Sequence, residues 1–290
     1  MPAWKRFAKN TPSTNNKSKE RIAAAGLRRQ FYVMIMATFT GTIFSEMLGM
    51  RTGLNVVTPV HFDCDSPEPF RVVYLLHGLT DSHTCWSDNT QLTLFANEYN
   101  VLFLMPEVQR SFYANMAYGL PYYSYITEEL PKICQKLFHI SERKEDTYIM
   151  GLSMGGYGAL KCALDRPNQY AGCGAFSSAC DIRAAMAGSA LMRKNELQGI
   201  CGPDFEIPLE NDLFALAEAC GRRPEKPRIY MTCGTEDFLH SMNVRFGSHL
   251  QKLGFDAVYE EWSGSHDWYF WNESLHRALA HFFGAEKKEG

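Results

Sequence analysis

Short apolar runs alternate along this chain with longer stretches whose apolar residues recur at helical spacing. Arg71-Val72-Val73-Tyr74-Leu75-Leu76 and Val101-Leu102-Phe103-Leu104-Met105-Pro106 are nearly unbroken apolar runs, suited to strands buried on both faces. Residues 146–150, 172–176, 228–234 and 256–262 read as further short strands. Residues 35–44 and 52–59 alternate apolar with polar and predict two antiparallel strands at a sheet edge. The intervening segments predict helices over 91–99, 123–138 (interrupted at Pro131), 156–164, 239–253 and 269–283. Strands alternating with helices of this length predict an α/β fold: a mostly parallel central sheet with helices on both faces. In such sheets the active site lies at the carboxyl ends of the strands. Residues 181–223 break the alternation. They hold helix-like stretches at 182–198 and 212–219 with Gly/Pro punctuation between, and read as an insertion forming a small cap over the site.

Composition narrows the class. The chain has 290 residues, 46% hydrophobic and 21% charged, enough for one large domain or two small ones. A net charge of −3 supplies no field for a nucleic-acid partner. No apolar run reaches the roughly 18 residues of a membrane span. Nine scattered cysteines show no CxxC pair and no His/Cys ligand spacing. That odd number without a framework fits a reduced, cytoplasmic protein without a metal site better than a secreted disulfide scaffold. Residues 1–33 differ, with eight Lys/Arg against one acidic residue, Glu20. This basic segment falls outside the expected core, which leaves residues 34–290 as the folded domain. It reads as a disordered tail, as an extension upstream of a start at Met34 or Met36, or as a targeting segment. The last ranks lowest, because the run after Arg28-Arg29 carries Thr38, Thr40 and Thr42 in strand-like alternation and has no small-residue cleavage site.

The candidate chemistry centres on Gly151-Leu152-Ser153-Met154-Gly155. A Gly-x-Ser-x-Gly pattern arises by chance about once in ten chains of this length, so context must carry it. The context is a predicted strand before it and a small-residue helix after it, the setting of a nucleophile elbow. A serine hydroxyl needs an imidazole to take its proton and a carboxylate to orient that imidazole. On this topology they follow in the order Ser, Asp/Glu, His. Asp237 follows one predicted strand and His266 follows the last; Glu236 and Asp267 are their neighbours and competitors. Asp237 is preferred as the residue beginning the helix after the turn. His77 ends a strand beside the site and is read as loop support rather than base. His249, His276 and His281 fall within predicted helices; His61, His83, His139 and His240 fall in loops or at element ends and read as solvated. Oxyanion donors are expected from the backbone N–H groups of Met154 and of Leu79, in the loop His77-Gly78-Leu79-Thr80. The aromatics of 112–125 and 268–271 read equally as pocket or core, and Trp86 as support.

Taken together, Leu75-Leu76-His77-Gly78-Leu79, Trp86, the 123–131 stretch and Gly151 to Leu160 resemble the esterase D group of α/β-hydrolases. That group includes S-formylglutathione hydrolases and bacterial tributyrin-type carboxylesterases. Cys233-Gly234-Thr235-Glu236-Asp237-Phe238-Leu239 and Gly264-Ser265-His266-Asp267-Trp268 are similar to the tributyrin-type branch in particular. The likeness runs from about Met34 to Phe283. It implies the α/β-hydrolase fold, a cofactor-free mechanism and a triad of Ser153, Asp237 and His266. Leu152 and Tyr157 stand where the formylglutathione branch reads histidine, which favours a general hydrolase of short-chain acyl esters. Feruloyl and acetyl-xylan esterases are near relatives. The expected partner is a small-molecule ester; a homo-oligomer is compatible. An acyltransferase or a non-catalytic binding module on the same scaffold are the alternatives of another class.

Overall fold

The computed structural model describes residues 37–59, 68–188 and 192–284. The expectations for residues 1–33, His61 and Cys64 lie outside them. Eight strands form one sheet: β1 (Ala37–Ser45), β2 (Met50–Thr58), β3 (Arg71–Leu76), β4 (Val101–Pro106), β5 (Thr147–Leu152), β6 (Gly172–Phe176), β7 (Arg228–Gly234) and β8 (Ala257–Trp262). Their spatial order is β1-β2-β4-β3-β5-β6-β7-β8. The β1–β2 and β2–β4 pairs are antiparallel, and every pair from β4 to β8 is parallel. The sheet is thus mostly parallel, with an antiparallel hairpin at one edge, as the pattern predicted.

Alternation along each central strand feeds two cores. Val72, Tyr74 and Leu76 of β3 pack on one face, with Ala159, Leu160 and Ala163 of the helix after β5. Val73 and Leu75 pack on the other face, with Leu275, Ala278 and Leu279. Both faces are therefore dry, which is why these strands read as apolar runs without polar alternation.

The helices are α1 (Cys85–Asn89), α2 (Leu92–Tyr99), α3 (Tyr122–Ser124), α4 (Leu130–Leu137), α5 (Met154–Asp165), α6 (Ile182–Gly188), α7 (Lys194–Cys201), α8 (Leu213–Gly221), α9 (His240–Lys252) and α10 (Trp268–Phe283). Two expectations need correction. Pro131 does not interrupt the helical path, because a π-turn at Tyr125–Glu129 joins α3 to α4. A proline lacks the N–H and crowds the carbonyl four residues back. The wider turn relieves the crowding, and the Thr127 carbonyl accepts a hydrogen bond from Gln169 Nε2 at 3.1 Å instead. The second correction is that 182–198 is not one helix. The chain is extended at Arg193 (φ −89°, ψ 152°), and Glu196 caps a new helix by accepting from the Arg193 amide at 2.7 Å.

Candidate active site

Four loops leave the carboxyl ends of β3, β5, β7 and β8, and each carries a residue named by its pattern. The sharpest is after β5. Ser153 lies at φ 54°, ψ −117°, between the last strand residue and the first helical one. A non-glycine residue there is strained, and such strain clusters at functional sites. The flanking glycines make the turn possible by leaving room. A Cβ on Gly151 would stand 2.4 Å from the Gly155 carbonyl oxygen, and one on Gly155 would stand 2.3 Å from that of Leu76. The Ser153 amide donates to the Phe176 carbonyl at 2.8 Å, which ties the elbow to β6.

The structure brings together the three side chains singled out by their order. Ser153 Oγ is 3.0 Å from His266 Nε2, and His266 Nδ1 is 2.9 Å from Asp237 Oδ2. The Asp237 side chain is fully buried, whereas that of His266 is one-fifth exposed. The other Asp237 oxygen accepts from the Leu239 amide at 2.8 Å. Burial pushes the Asp237 carboxyl up. The hydrogen bond and charge of His266, with the Leu239 amide, outweigh that and hold it below the usual carboxylate range. With the carboxylate on Nδ1, the imidazole carries its proton there and presents the Nε2 lone pair to Ser153. Asp237 sits in the turn before α9 rather than in the helix itself, a small correction to its expected place.

The competitors are engaged otherwise. Glu236 is exposed and accepts from the Gly264 amide at 2.5 Å, so it clasps the loop that carries His266. Asp267 caps α10 by accepting from Phe270 at 3.0 Å. His77 is buried; Nδ1–H donates to the Gly78 carbonyl at 2.8 Å, and Nε2 accepts from the Val108 amide at 3.1 Å. Both its ring nitrogens are committed to holding the loop after β3. His83 and His240 are not simply solvated: they bond Glu107 at 3.1 Å and Glu261 at 2.8 Å. Trp86 is fully buried, donates to the Leu76 carbonyl at 3.0 Å and stacks edge-on against Trp268.

Ser153 and His266 open onto a cavity of about 160 Å³. Leu79 and Met154 line it, beside Phe112, Leu152, Phe238 and Trp271. Met154 is the first residue of α5, so its N–H has no partner within the helix. Ala185 of α6 and Met192 also reach the cavity, so the first part of the insertion contributes to its wall. Phe238 packs tilted against His266 at 4.6 Å between ring centroids and Trp271 meets it edge-on at 4.9 Å. Sequence reasoning missed Asp81, an acid in this largely apolar lining whose carboxyl burial pushes up. The only signal for it was its place four residues beyond His77, in the loop already under suspicion. A larger polar cleft of about 450 Å³ lies elsewhere, around Thr147 at the opposite end of β5, and holds none of these residues. Among the described residues, no group of His, Cys, Asp and Glu is arranged to hold a metal ion, and no helix is long and apolar enough to cross a membrane.

An eight-stranded, mostly parallel sheet with a strained serine between strand and helix is the architecture of an α/β-hydrolase. The family model named Esterase matches residues 45–282, and the chain belongs to that family. Over 264 residues it is 32% identical to an acetyl esterase of Caldicellulosiruptor saccharolyticus, covering 84% of this chain and 97% of the relative. A mouse S-formylglutathione hydrolase (Mus musculus) is 39% identical over 82 residues, 28% of this chain and 27% of the relative. Among solved structures, FphF, a fluorophosphonate-binding serine hydrolase of Staphylococcus aureus, superposes with a TM-score of 0.79 at 29% identity, covering 86% of this chain and 98% of FphF. The chain is a serine esterase, a carboxylic ester hydrolase of the esterase D/S-formylglutathione hydrolase-like group.

Proposed function

We propose that this esterase hydrolyses short-chain acyl esters through an acyl-enzyme on Ser153. The observation that carries the reading is the Ser153–His266–Asp237 chain of hydrogen bonds opening onto an apolar cavity of about 160 Å³. Pockets for drug-sized ligands run to ~300–1,000 Å³. A space this small suits an acetyl or butyryl group, and the acetyl esterase relative supports the same range.

His266 Nε2 accepts the proton of Ser153 Oγ as that oxygen attacks the ester carbonyl. Charge developing on the carbonyl oxygen meets the N–H groups of Met154 and Leu79. The protonated imidazole, stabilised by the carboxylate of Asp237, then gives its proton to the departing alcohol. A water, deprotonated by His266, attacks the acyl-enzyme and releases the acid and Ser153. We assign this catalytic domain to residues 34–290, which contain the family match at 45–282. A reducing cytoplasmic setting suits its eight described free cysteines, seven of them buried.

Steady-state hydrolysis of p-nitrophenyl acetate, butyrate and octanoate by wild type and Ser153→Ala tests the reading. The substitution is expected to lower turnover by roughly 10³-fold or more. Retention of most activity would sink the nucleophile assignment. Octanoate turned over as efficiently as acetate would sink the short-chain reading. Feruloyl, acetyl-xylan and S-formylglutathione substrates, run alongside, test the neighbouring specificities.

A further inference from the structure

Lys161 is a cation in the middle of the elbow helix, 2% exposed. Its partners are neutral. The ammonium donates to the Tyr113 carbonyl at 3.0 Å and to Asn211 Oδ1 at 2.5 Å, and it stands 4.5 Å over the Tyr123 ring. A buried ammonium without a carboxylate is costly, and an apolar side chain of similar length would fill the same volume without that cost. Burial pulls its pKa down to about 8, which still leaves it mostly charged at neutral pH.

Of the segments it joins, the elbow helix and the loop of Phe112 and Tyr113 contribute to the wall of the cavity, through Met154 and Phe112. Tyr113, whose carbonyl it holds, donates its phenol hydroxyl to the His77 carbonyl at 2.9 Å. His77 is two residues before Leu79, the proposed second oxyanion donor. The Tyr113 ring packs straight onto α5, where a Cβ on Gly158 would meet it at 2.4 Å. Phe112 and Tyr113 both have positive φ, 52° and 51°, so the loop after β4 is held in a conformation that side-chain-bearing residues adopt only under constraint. On the other side, Asn211 belongs to the insertion, and its carbonyl accepts from the Tyr157 hydroxyl of α5 at 2.7 Å.

We propose that Lys161 is a positioning residue for the oxyanion hole: through Tyr113 it sets the loop that carries the Leu79 amide against the helix that carries the Met154 amide. The inference rests on the acyl-enzyme reading above. The two donors come from different strand ends, β3 and β5, and a rate gain from both requires that their separation be fixed before substrate arrives. Backbone geometry fixes Met154, because it follows the elbow directly. Leu79 lies in a loop braced locally, by Arg110 donating to the Leu79 carbonyl at 3.3 Å and by the His77 ring, and the Lys161–Tyr113–His77 chain ties that loop to α5.

The test uses the full chain with Lys161→Met, Tyr113→Phe and the double variant. Tyr113→Phe removes one hydroxyl and leaves the ring on Gly158, so it keeps the question answerable where Lys161→Met does not fold. Three quantities are measured: kcat and KM for p-nitrophenyl acetate, the Ki of a short alkyl trifluoromethyl ketone, and Tm. The ketone binds as a hemiketal whose oxyanion occupies the hole. Each single variant is expected to lose roughly tenfold to a hundredfold in kcat with KM changed by less than about threefold. Ki should rise by the same factor as kcat/KM falls. The double variant should lose no more than the worse single. A lowered Tm with kcat/KM and Ki within about twofold of wild type would reduce Lys161 to a structural residue and overturn the proposal. A fall in kcat that Ki does not follow would overturn it equally. Unimpaired Ser153→Ala would instead remove the acyl-enzyme reading on which the proposal stands.

Discussion

The elbow at Gly151–Gly155 and the loop at Ser263–Asp267 present Ser153 and His266 to each other, but they are built by opposite means. The elbow is set by exclusion. Gly151 and Gly155 have no room for a Cβ, Ser153 is held at positive φ, and its amide is bonded to β6. The His266 loop is set by attraction. Glu236 clasps the Gly264 amide, Asp267 caps α10 and bonds Ser265 Oγ at 2.8 Å, Phe238 covers the imidazole, and Asp237 holds Nδ1. Volume therefore governs the proposed nucleophile, and charge governs the proposed base. A steric barrier rises steeply with small displacements, whereas polar contacts on a loop yield gradually. The nucleophile is the better fixed of the two for that reason.

The most damaging way to probe the difference is Gly155→Ala. The new methyl would stand 2.3 Å from the Leu76 carbonyl oxygen, and backbone must move on one side or the other. Overpacking of this kind costs about 3 kcal/mol or more, which lowers Tm by roughly 10 °C in a domain of this size. It should also abolish most turnover, because Leu76 leads directly into the proposed oxyanion loop. Gly41→Ala, where nothing lies within 4 Å, is the matched control and should change stability by no more than ~0.5 kcal/mol. A Gly155→Ala protein with wild-type Tm and activity would mean that exclusion does not set the elbow.

Asp237→Asn probes the other half. The amide keeps the shape but loses the charge, and the wrong imidazole tautomer becomes accessible. Turnover should fall by about 10⁴-fold while the elbow changes little, and the stability that the Asp237 charge contributes at neutral pH should be lost. The sign of the pH effect follows from the lowered folded-state pKa of Asp237. The unfolded chain takes up a proton on this carboxylate at a higher pH than the folded one does. Its stabilising contribution is therefore full above the ordinary aspartate range, and it is lost as pH falls through the folded value. Urea midpoints measured from neutral pH into acid should drop less steeply for Asp237→Asn than for wild type. Parallel acid limbs would show that the pair contributes nothing to stability.

The same contrast explains what the sequence made legible. The elbow is local: strand, glycine, serine, glycine and helix follow one another within Thr147 to Asp165, and each obeys a rule about φ or space. The central strands were legible because burial on both faces leaves no polar positions in Val72 to Leu76 or Val101 to Pro106. The order Ser153, Asp237, His266 could be read because the topology puts each after a strand. What pairs groups far apart left no local trace. Glu236 and Asp237 are adjacent acids, and only the turn after β7 decides that one faces Gly264 and the other His266. The split at Arg193 was hidden because 182–198 has no proline at the break, and the extended backbone there is set by capping rather than by a breaker. Nothing in the local sequence marks Lys161; its burial depends on Tyr113 and Asn211, about fifty residues to either side.

Glu236→Gln is the mildest of the probes, and it isolates the clasp from the chemistry. A glutamine side chain is nearly isosteric and its carbonyl can still accept from the Gly264 amide, but without the charge that strengthens the bond. Hydrogen bonds from Gly264, Thr235 and Ser263 hold the Glu236 carboxyl below its usual range, which shows that the loop favours the ionised form. The group is exposed, so bulk ions screen it and its effect on global stability should be too small to register in Tm. Its effect on His266 should not vanish in the same way. Losing charge on the clasp lets the loop drift relative to Ser153, and kcat should fall by roughly threefold to tenfold with little change in KM. Glu236→Ala, which removes the acceptor altogether, should fall further, and labelling by a fluorophosphonate should slow in step because it needs the same Ser153–His266 alignment. If both variants label and turn over at the wild-type rate, the Glu236 clasp contributes nothing to the alignment. The attraction that positions the proposed base would then lie in the Asp237 hydrogen bond, the ring contacts of Phe238 and Trp271, and the Asp267 cap.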